Sequence, residues 1–291
     1  MGKLPFCVFA LLIAGPVIGQ SAPPPAHQTV EITSGALHLK AFLWKPVGRG
    51  PFPAVVFNHG RSNGPQQHTN KLTITEAAQI LGAVFVKHGY VFLYLFRRGE
   101  GLSADQGPFI GDLLQREEAA KGDEAGRHLQ FVLMTTDHLD DASAALAFLK
   151  TLPEVDAHRV AVAGHSFGGQ LTLLEAERDP TLRAAVTFGA AAGSWDGSAE
   201  LRARLLDAVG KITVPVLLIH PANDYSVNPG KSMAAECARL SKPCLLKMYP
   251  PIGHTPSDGH NFLYTNISQW ETDVFKFLDD NVNKPIQRPS F

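Results

Sequence analysis

The sequence predicts an α/β fold: eight strands in one mostly parallel sheet, with helices on both faces. Three observations carry this expectation. Apolar runs short enough for strands buried on both faces recur at 54–57, 90–96, 159–163, 184–188, 215–219 and 245–249. Segments with helical character alternate with them, at 73–88, 137–152, 170–178, 199–209, 230–240 and 269–280, and such alternation implies parallel strands joined by helical crossovers. No internal repeat interrupts the pattern, and no linker is long enough to separate domains.

The N-terminal residues stand apart from that pattern. Lys3 is followed by an apolar stretch over 4–18 and by Val17-Ile18-Gly19, the plan of a secretory signal peptide over residues 1–19. The stretch is too short for a comfortable membrane span. Cleavage after Gly19 leaves 291 − 19 = 272 residues, enough for a single domain over 20–291 with a large core, no membrane span, and a secreted or periplasmic location. Residues 20–27, with Pro23-Pro24-Pro25, are expected as an extended leader.

Residues 29–33 alternate, Ser34-Gly35 turns the chain, and 36–44 returns, which predicts an antiparallel hairpin at a sheet edge. The strand at 54–57 runs into Asn58-His59-Gly60-Arg61. Helix 73–88 stops at Gly89, a residue suited to ending helices. The strand at 90–96 leads into Arg97-Arg98-Gly99-Glu100. Residues 112–127 have charged helix formers and few apolar positions, so a solvated surface helix is expected there rather than a lid. Helix 137–152 carries Leu139, Leu146 and Leu149 on its apolar side, and the final helix carries Trp270, Val274, Phe277 and Leu278.

Composition narrows the function. The chain is 45% hydrophobic with a formal net charge of −1, so neither a nucleic acid nor an anionic membrane is expected as partner. There is no H-E-x-x-H, cysteine cluster, P-loop or dinucleotide fingerprint, and no metal or cofactor is expected. Outside the N-terminal stretch the cysteines are Cys237 and Cys244, bracketing a helix-to-strand connection. In an exported protein they are expected to form a structural disulfide.

The chemistry is concentrated where the strand at 159–163 meets the helix at 170–178. Between them lies Gly164-His165-Ser166-Phe167-Gly168, a G-x-S-x-G. Its serine must occupy a sharp strand-to-helix turn, and the glycines two residues to either side remove Cβ atoms that would collide there. The Phe167 N–H then sits at a helix N-terminus, facing negative charge that develops on a bound carbonyl oxygen. A serine hydroxyl needs an adjacent base, which a histidine serves best, and the base needs a carboxylate to fix its tautomer. Asp224 follows a buried strand at the sheet edge where ligands gather, whereas Asp207 lies within a helix as a surface charge. Two histidines, His254 and His260, follow the last strand, and either could supply the base.

With an elbow after the fifth strand, an acid after the seventh and a histidine after the eighth, the chain resembles the α/β-hydrolases. Within them it is most similar to the branch of dienelactone hydrolases and prolyl oligopeptidase-type catalytic domains. The carrying residues are Asn58-His59-Gly60, Arg98-Gly99-Glu100-Gly101, Gly164 to Gly169, Asn223-Asp224, and Tyr249-Pro250 leading to Gly259-His260-Asn261-Phe262. The resemblance implies a Ser166–Asp224–His260 triad, His260 being favoured because Gly-His-x-Phe matches in full. It also implies a second oxyanion donor from the Arg61 N–H, with Ser62 next. Residues 250–259 then form a lengthened loop bringing His260 over the serine.

Two departures matter. Dienelactone hydrolases proper use cysteine where Ser166 stands, and the chain has no room for the propeller of prolyl oligopeptidase-type peptidases. The expectation is an exported serine hydrolase acting on small-molecule carboxylic esters. A peptidase or amidase using the same residues, or a non-catalytic binding protein on the same fold, are the alternatives.

Overall fold

The computed structural model describes residues 26–69 and 71–283, with Gly2 besides. Apart from Gly2, the expected signal peptide over 1–19 lies outside the described residues.

Eight strands form one sheet: β1 Gln28–Ser34, β2 Leu37–Trp44, β3 Phe52–Asn58, β4 Val91–Leu95, β5 Val155–His165, β6 Ala184–Phe188, β7 Val216–Pro221 and β8 Cys244–Tyr249, in the order β1-β2-β4-β3-β5-β6-β7-β8. β2 pairs antiparallel with both β1 and β4, and every other pairing is parallel. The expected antiparallel hairpin at the sheet edge is β1 with β2, and β2 alone runs against the other strands. The chain leaves β3 toward β4 on one side and returns to β5 on the other. The crevice at the C-terminal ends of β3 and β5 is therefore a topological switch point, where open α/β sheets bind ligands.

The helices are α1 Ile74–Lys87, α2 Ile110–Lys121, α3 Asp123–Thr135, α4 Asp137–Thr151, α5 Phe167–Arg178, α6 Ala199–Lys211, α7 Asn228–Arg239, α8 Pro256–His260, α9 Phe262–Thr265 and α10 Ile267–Val282. One sheet face packs against α2 to α7 through residues such as Leu114, Leu146, Leu171 and Leu205. The other packs against α1 and α10 through Leu81, Phe85, Trp270 and Phe275. Thr73 and Glu76 form a capping box at the start of α1, satisfying N–H groups that the first helical turn leaves open.

Two local expectations are corrected. The excursion at 112–127 is a pair of helices, α2 and α3, extending to Thr135 and broken at Gly122, where φ is 89°. The loop at 250–259 is not all loop: Thr255 and Asp258 form a capping box and Pro256 opens the short α8, so His260 sits at a helix end. Cys237 and Cys244 form a disulfide joining the end of α7 to the start of β8. Among the described residues no helix is long and apolar enough to cross a membrane.

Candidate active site

Ser166 stands between the last residue of β5 and the first of α5, with φ 54° and ψ −115°. A non-glycine residue there is strained, and such strain persists only where the surroundings enforce it. The surroundings are tight. A Cβ added at Gly164 would lie 2.4 Å from the Gly168 carbonyl oxygen and Thr172 Oγ1, and one at Gly168 would lie 2.0 Å from the Asn58 carbonyl oxygen. Both glycines are thus required by close backbone approach, and Gly168 is where α5 presses on the end of β3.

Ser166 Oγ lies 2.9 Å from His260 Nε2, and His260 Nδ1 lies 2.6 Å from Asp224 Oδ1. His254, the other candidate base, is exposed; its backbone N–H donates to Asp258 in the cap of α8. Asp207 is on the surface of α6, paired with Lys211. The structure therefore brings together Ser166, Asp224 and His260 and leaves His254 and Asp207 apart.

Asp224 accepts three hydrogen bonds: from His260, from His220 Nδ1 to Oδ2 at 2.9 Å, and from the Tyr225 N–H at 2.8 Å. Burial alone would raise its pKa, but the hydrogen bonds and charge supplied by His220 and His260 outweigh burial and hold the carboxyl well below the ordinary range. It is an anion at any working pH. His220 was not expected in this role. It is fully buried in β7, four residues before Asp224, and a histidine inside an apolar strand gives no signal of its own.

Asn223, beside Asp224, fastens the loop that carries His260. Its Nδ2 donates to the Ile252 and Thr255 carbonyls and its Oδ1 accepts from the Ile252 N–H. Gly259 permits this approach, since a Cβ there would lie 2.6 Å from Asn223 Oδ1. A second brace reaches His260 from below. His165 Nε2 is 2.8 Å from the His260 carbonyl oxygen, its Nδ1 is 3.4 Å from the Tyr264 hydroxyl, and that hydroxyl is 2.8 Å from His68 Nε2. Burial pushes the His165 pKa well down and that of His68 to about 3, so both rings are neutral. One proton assignment satisfies the whole chain: His68 N–H to Tyr264, Tyr264 O–H to His165, and His165 N–H to the His260 carbonyl.

The loop after β3 lies against Ser166; a Cβ at Gly60 would be 3.3 Å from Ser166 Cβ. Arg97, fully buried, donates to the His59 and Gly60 carbonyls and to Glu100, which fixes the loop's shape. His59 stacks on Tyr94 and its Nδ1 is 2.7 Å from the Gly60 oxygen, so it shapes the loop. Among the described residues neither the Phe167 nor the Arg61 backbone N–H has a hydrogen-bond acceptor, whereas the Ser62 N–H is directed at Glu100 Oε1, 3.3 Å away. Two open donors at this position suit a developing oxyanion. Arg98 is engaged elsewhere, with Asp137 and Asp141 of α4, and the Arg61 side chain donates to Gln130.

The resulting pocket, about 400 Å³, is lined by Ser166, His260, Tyr225, Arg61 and His68 among others. Among the described residues no group of three or more His, Cys, Asp or Glu is placed to hold a metal ion. The arrangement can take a proton from a hydroxyl, store it on an imidazole and stabilise an oxyanion beside it.

Comparison with known proteins agrees with this architecture. A provisionally named carboxymethylenebutenolidase of Synechocystis sp. is 29% identical over 173 residues, 59% of this chain and 62% of that protein. A second protein of that provisional name, from Methylorubrum extorquens, is 29% identical over 119 residues, 40% of each. The chain thus spans less than two thirds of the length of these relatives. Among solved structures, a dienelactone hydrolase-like promiscuous phosphotriesterase from metagenomic libraries superposes with a TM-score of 0.61 at 22% identity, covering 88% of this chain and 98% of that one. An acylaminoacyl peptidase of Pyrococcus horikoshii gives 0.64 at 18% identity, over 93% of this chain and 44% of that one. At such identities the structures show the shared α/β-hydrolase fold alone. Residues 41–261 match the dienelactone hydrolase family, to which this chain belongs.

Proposed function

We propose that the chain is a serine hydrolase that cleaves carboxylic esters through an acyl-enzyme, with Ser166 as nucleophile, His260 as base and Asp224 as its orienting acid. The observation that carries this reading is the unbroken line from Ser166 Oγ through His260 to Asp224, with contacts of 2.9 and 2.6 Å.

His260 Nε2 takes the Ser166 proton as Oγ attacks the ester carbonyl, and Asp224 stabilises the imidazolium that forms. The carbonyl oxygen, now negative, meets the Phe167 and Arg61 N–H groups. As the intermediate collapses, His260 returns the proton to the departing alkoxide and the alcohol leaves. Water then repeats the sequence on the acyl-serine, releasing the acid and restoring Ser166. Family membership supports ester rather than amide cleavage, as does the name borne by the two relatives.

The reading includes an address. A signal peptide over residues 1–19 would export a single domain over 20–291 to the periplasm or exterior. The Cys237–Cys244 disulfide supports an oxidising compartment.

Ser166→Ala tests the mechanism. Hydrolysis of an aryl acetate should fall by about 10⁴-fold or more, with unchanged circular dichroism, and a fluorophosphonate that labels the wild type should leave the variant unmodified. Esterase activity surviving in the variant would falsify the assignment.

A further inference from the structure

Small-molecule pockets are walled mostly by apolar side chains. The pocket containing Ser166 is not: among the described residues, no aliphatic side chain lines it. Apart from the triad, the loop after β3 that carries Arg61, and the brace below His260, its walls are Tyr225, Asn63, Thr69, Ser257, Asn261 and Gly193. Tyr225 alone among the lining residues carries a benzene ring. It follows Asp224, is 52% exposed, and its ring centroid lies 4.8 Å from that of His260. On a neighbouring wall, α8 and its C-cap present Ser257 and Asn261 on one helix face, four residues apart. Asn261 Nδ2 donates to the Ser257 carbonyl at 2.9 Å and reaches Ser257 Oγ only at 3.4 Å, so its Oδ1 and the Ser257 hydroxyl keep capacity for a ligand. Ser257 is exposed and Asn261 half-buried.

We propose that the substrates are acylated sugars, with the sugar ring stacked on Tyr225 and hydrogen-bonded by Ser257 and Asn261. The proposal rests on the ester-hydrolase reading above and names the class of ester. A sugar ring has a face of C–H bonds, whose positive ends suit the negative face of an aromatic ring. Its rim carries hydroxyls, each able to donate and to accept. The pocket offers partners for both, an open ring beside His260 and side-chain hydroxyls and amides around it. A hydrocarbon alcohol would use the ring alone.

Charge points the same way. Among the lining residues Arg61 alone is permanently charged, and its guanidinium donates to Gln130 of α3, outside the pocket lining. A neutral, hydroxyl-rich alcohol therefore fits these walls better than an anionic one. The volume of about 400 Å³ accommodates one monosaccharide with a short acyl chain. Placement follows from the chemistry: the sugar oxygen leaves as an alkoxide that takes its proton from His260, and the Tyr225 ring is beside that imidazole. The acyl group stays on Ser166 until water releases it.

Acetates of matched alcohols provide the test. Methyl glucoside acetylated at O6 or at O2 is compared with cyclohexylmethyl or cyclohexyl acetate, the same ring without hydroxyls, and with ethyl acetate, which is too small to reach Tyr225. In the wild type, at least one sugar ester should exceed its carbocyclic match in kcat/KM by about tenfold or more. Tyr225→Ala should lower the ratio of that sugar ester to ethyl acetate by about fivefold or more, and Tyr225→Phe, which keeps the ring, should retain it. Ser257→Ala should lower the ratio of sugar ester to carbocycle by about threefold or more. A wild type that hydrolyses ethyl or aryl acetate without favouring either sugar ester overturns the sugar proposal alone. So does a preference that survives Tyr225→Ala or Ser257→Ala unchanged, or that falls as far in Tyr225→Phe as in Tyr225→Ala. A wild type inactive toward all these esters, the aryl acetate included, overturns the ester-hydrolase reading and the sugar proposal with it.

Discussion

Glu175 gives the sharpest quantitative test of how the site is supported. It lies in α5 two turns beyond Ser166, is buried to 1% exposure, and its Oε2 accepts from Asn58 Nδ2 at 2.5 Å while Oε1 has no partner among the described residues. Asn58 ends β3 and begins the loop against Ser166, so this carboxyl lies beneath the floor of the site. Burial pushes its pKa up to about 8, the hydrogen bond from Asn58 only partly opposing it. The folded protein thus holds a proton on Glu175 that the unfolded chain releases near pH 4.5. Stability from this group is complete at acid pH and declines as pH rises toward 8, by about 1.4 kcal/mol per unit once the unfolded carboxyl has ionised.

Glu175→Gln keeps the shape and removes the titration. Between pH 5 and pH 7 the wild type should lose about 2 to 3 kcal/mol of unfolding free energy that the variant does not lose. Urea unfolding of both proteins at the two pH values measures this directly, and any constant difference from the extra amide donor cancels in the comparison. A wild-type-minus-variant difference that stays the same at pH 5 and pH 7 would refute the reasoning, because Glu175 would then be ionised in the native state.

Three other outcomes are expected. His220→Phe removes one of the three donors to Asp224, so the carboxylate holds the His260 ring less firmly in line with Ser166; kcat/KM toward an aryl acetate should fall by about tenfold, with folding retained by circular dichroism. Gly168→Ala drives a methyl into the Asn58 carbonyl and should destabilise by at least about 3 kcal/mol, seen as a lowered urea midpoint or loss of soluble protein. Replacing Cys237 and Cys244 together by serine opens a short loop with sequence separation 7, and thermal unfolding should register a loss of about 2.5 kcal/mol.

The parts of this protein legible in its sequence are those decided locally. Strand–helix alternation depends on short-range pattern and short connections, so the eight strands and the parallel crossovers could be read from the chain. The elbow was legible for the same reason: Gly164, Ser166 and Gly168 lie within five residues, and the backbone conformation they require is a property of that segment. Asp224 could be separated from Asp207 because one follows an apolar strand and the other interrupts a helix. The end of α5 at Arg178 was legible too, though the helix begins three residues before the expected Gln170, at Phe167, and its pattern hid that Glu175 would be wholly buried.

What only the tertiary structure decided depends on groups far apart along the chain that meet through packing. The choice between His254 and His260 needed a match to known motifs until folding put one ring 2.9 Å from Ser166, a contact between residues 94 positions apart. His68 meets Tyr264 across 196 positions and His165 meets the His260 carbonyl across 95. Neither pairing leaves a periodic or compositional trace, because a buried histidine looks the same in sequence whether it braces a base or only fills space. The cavity of about 290 Å³ beside the Ser166 pocket is of the same kind. Its walls come from α2, α3, α5, α6 and the loops after β3 and β6, and a void is set by what those elements fail to fill, which no single stretch of the chain encodes.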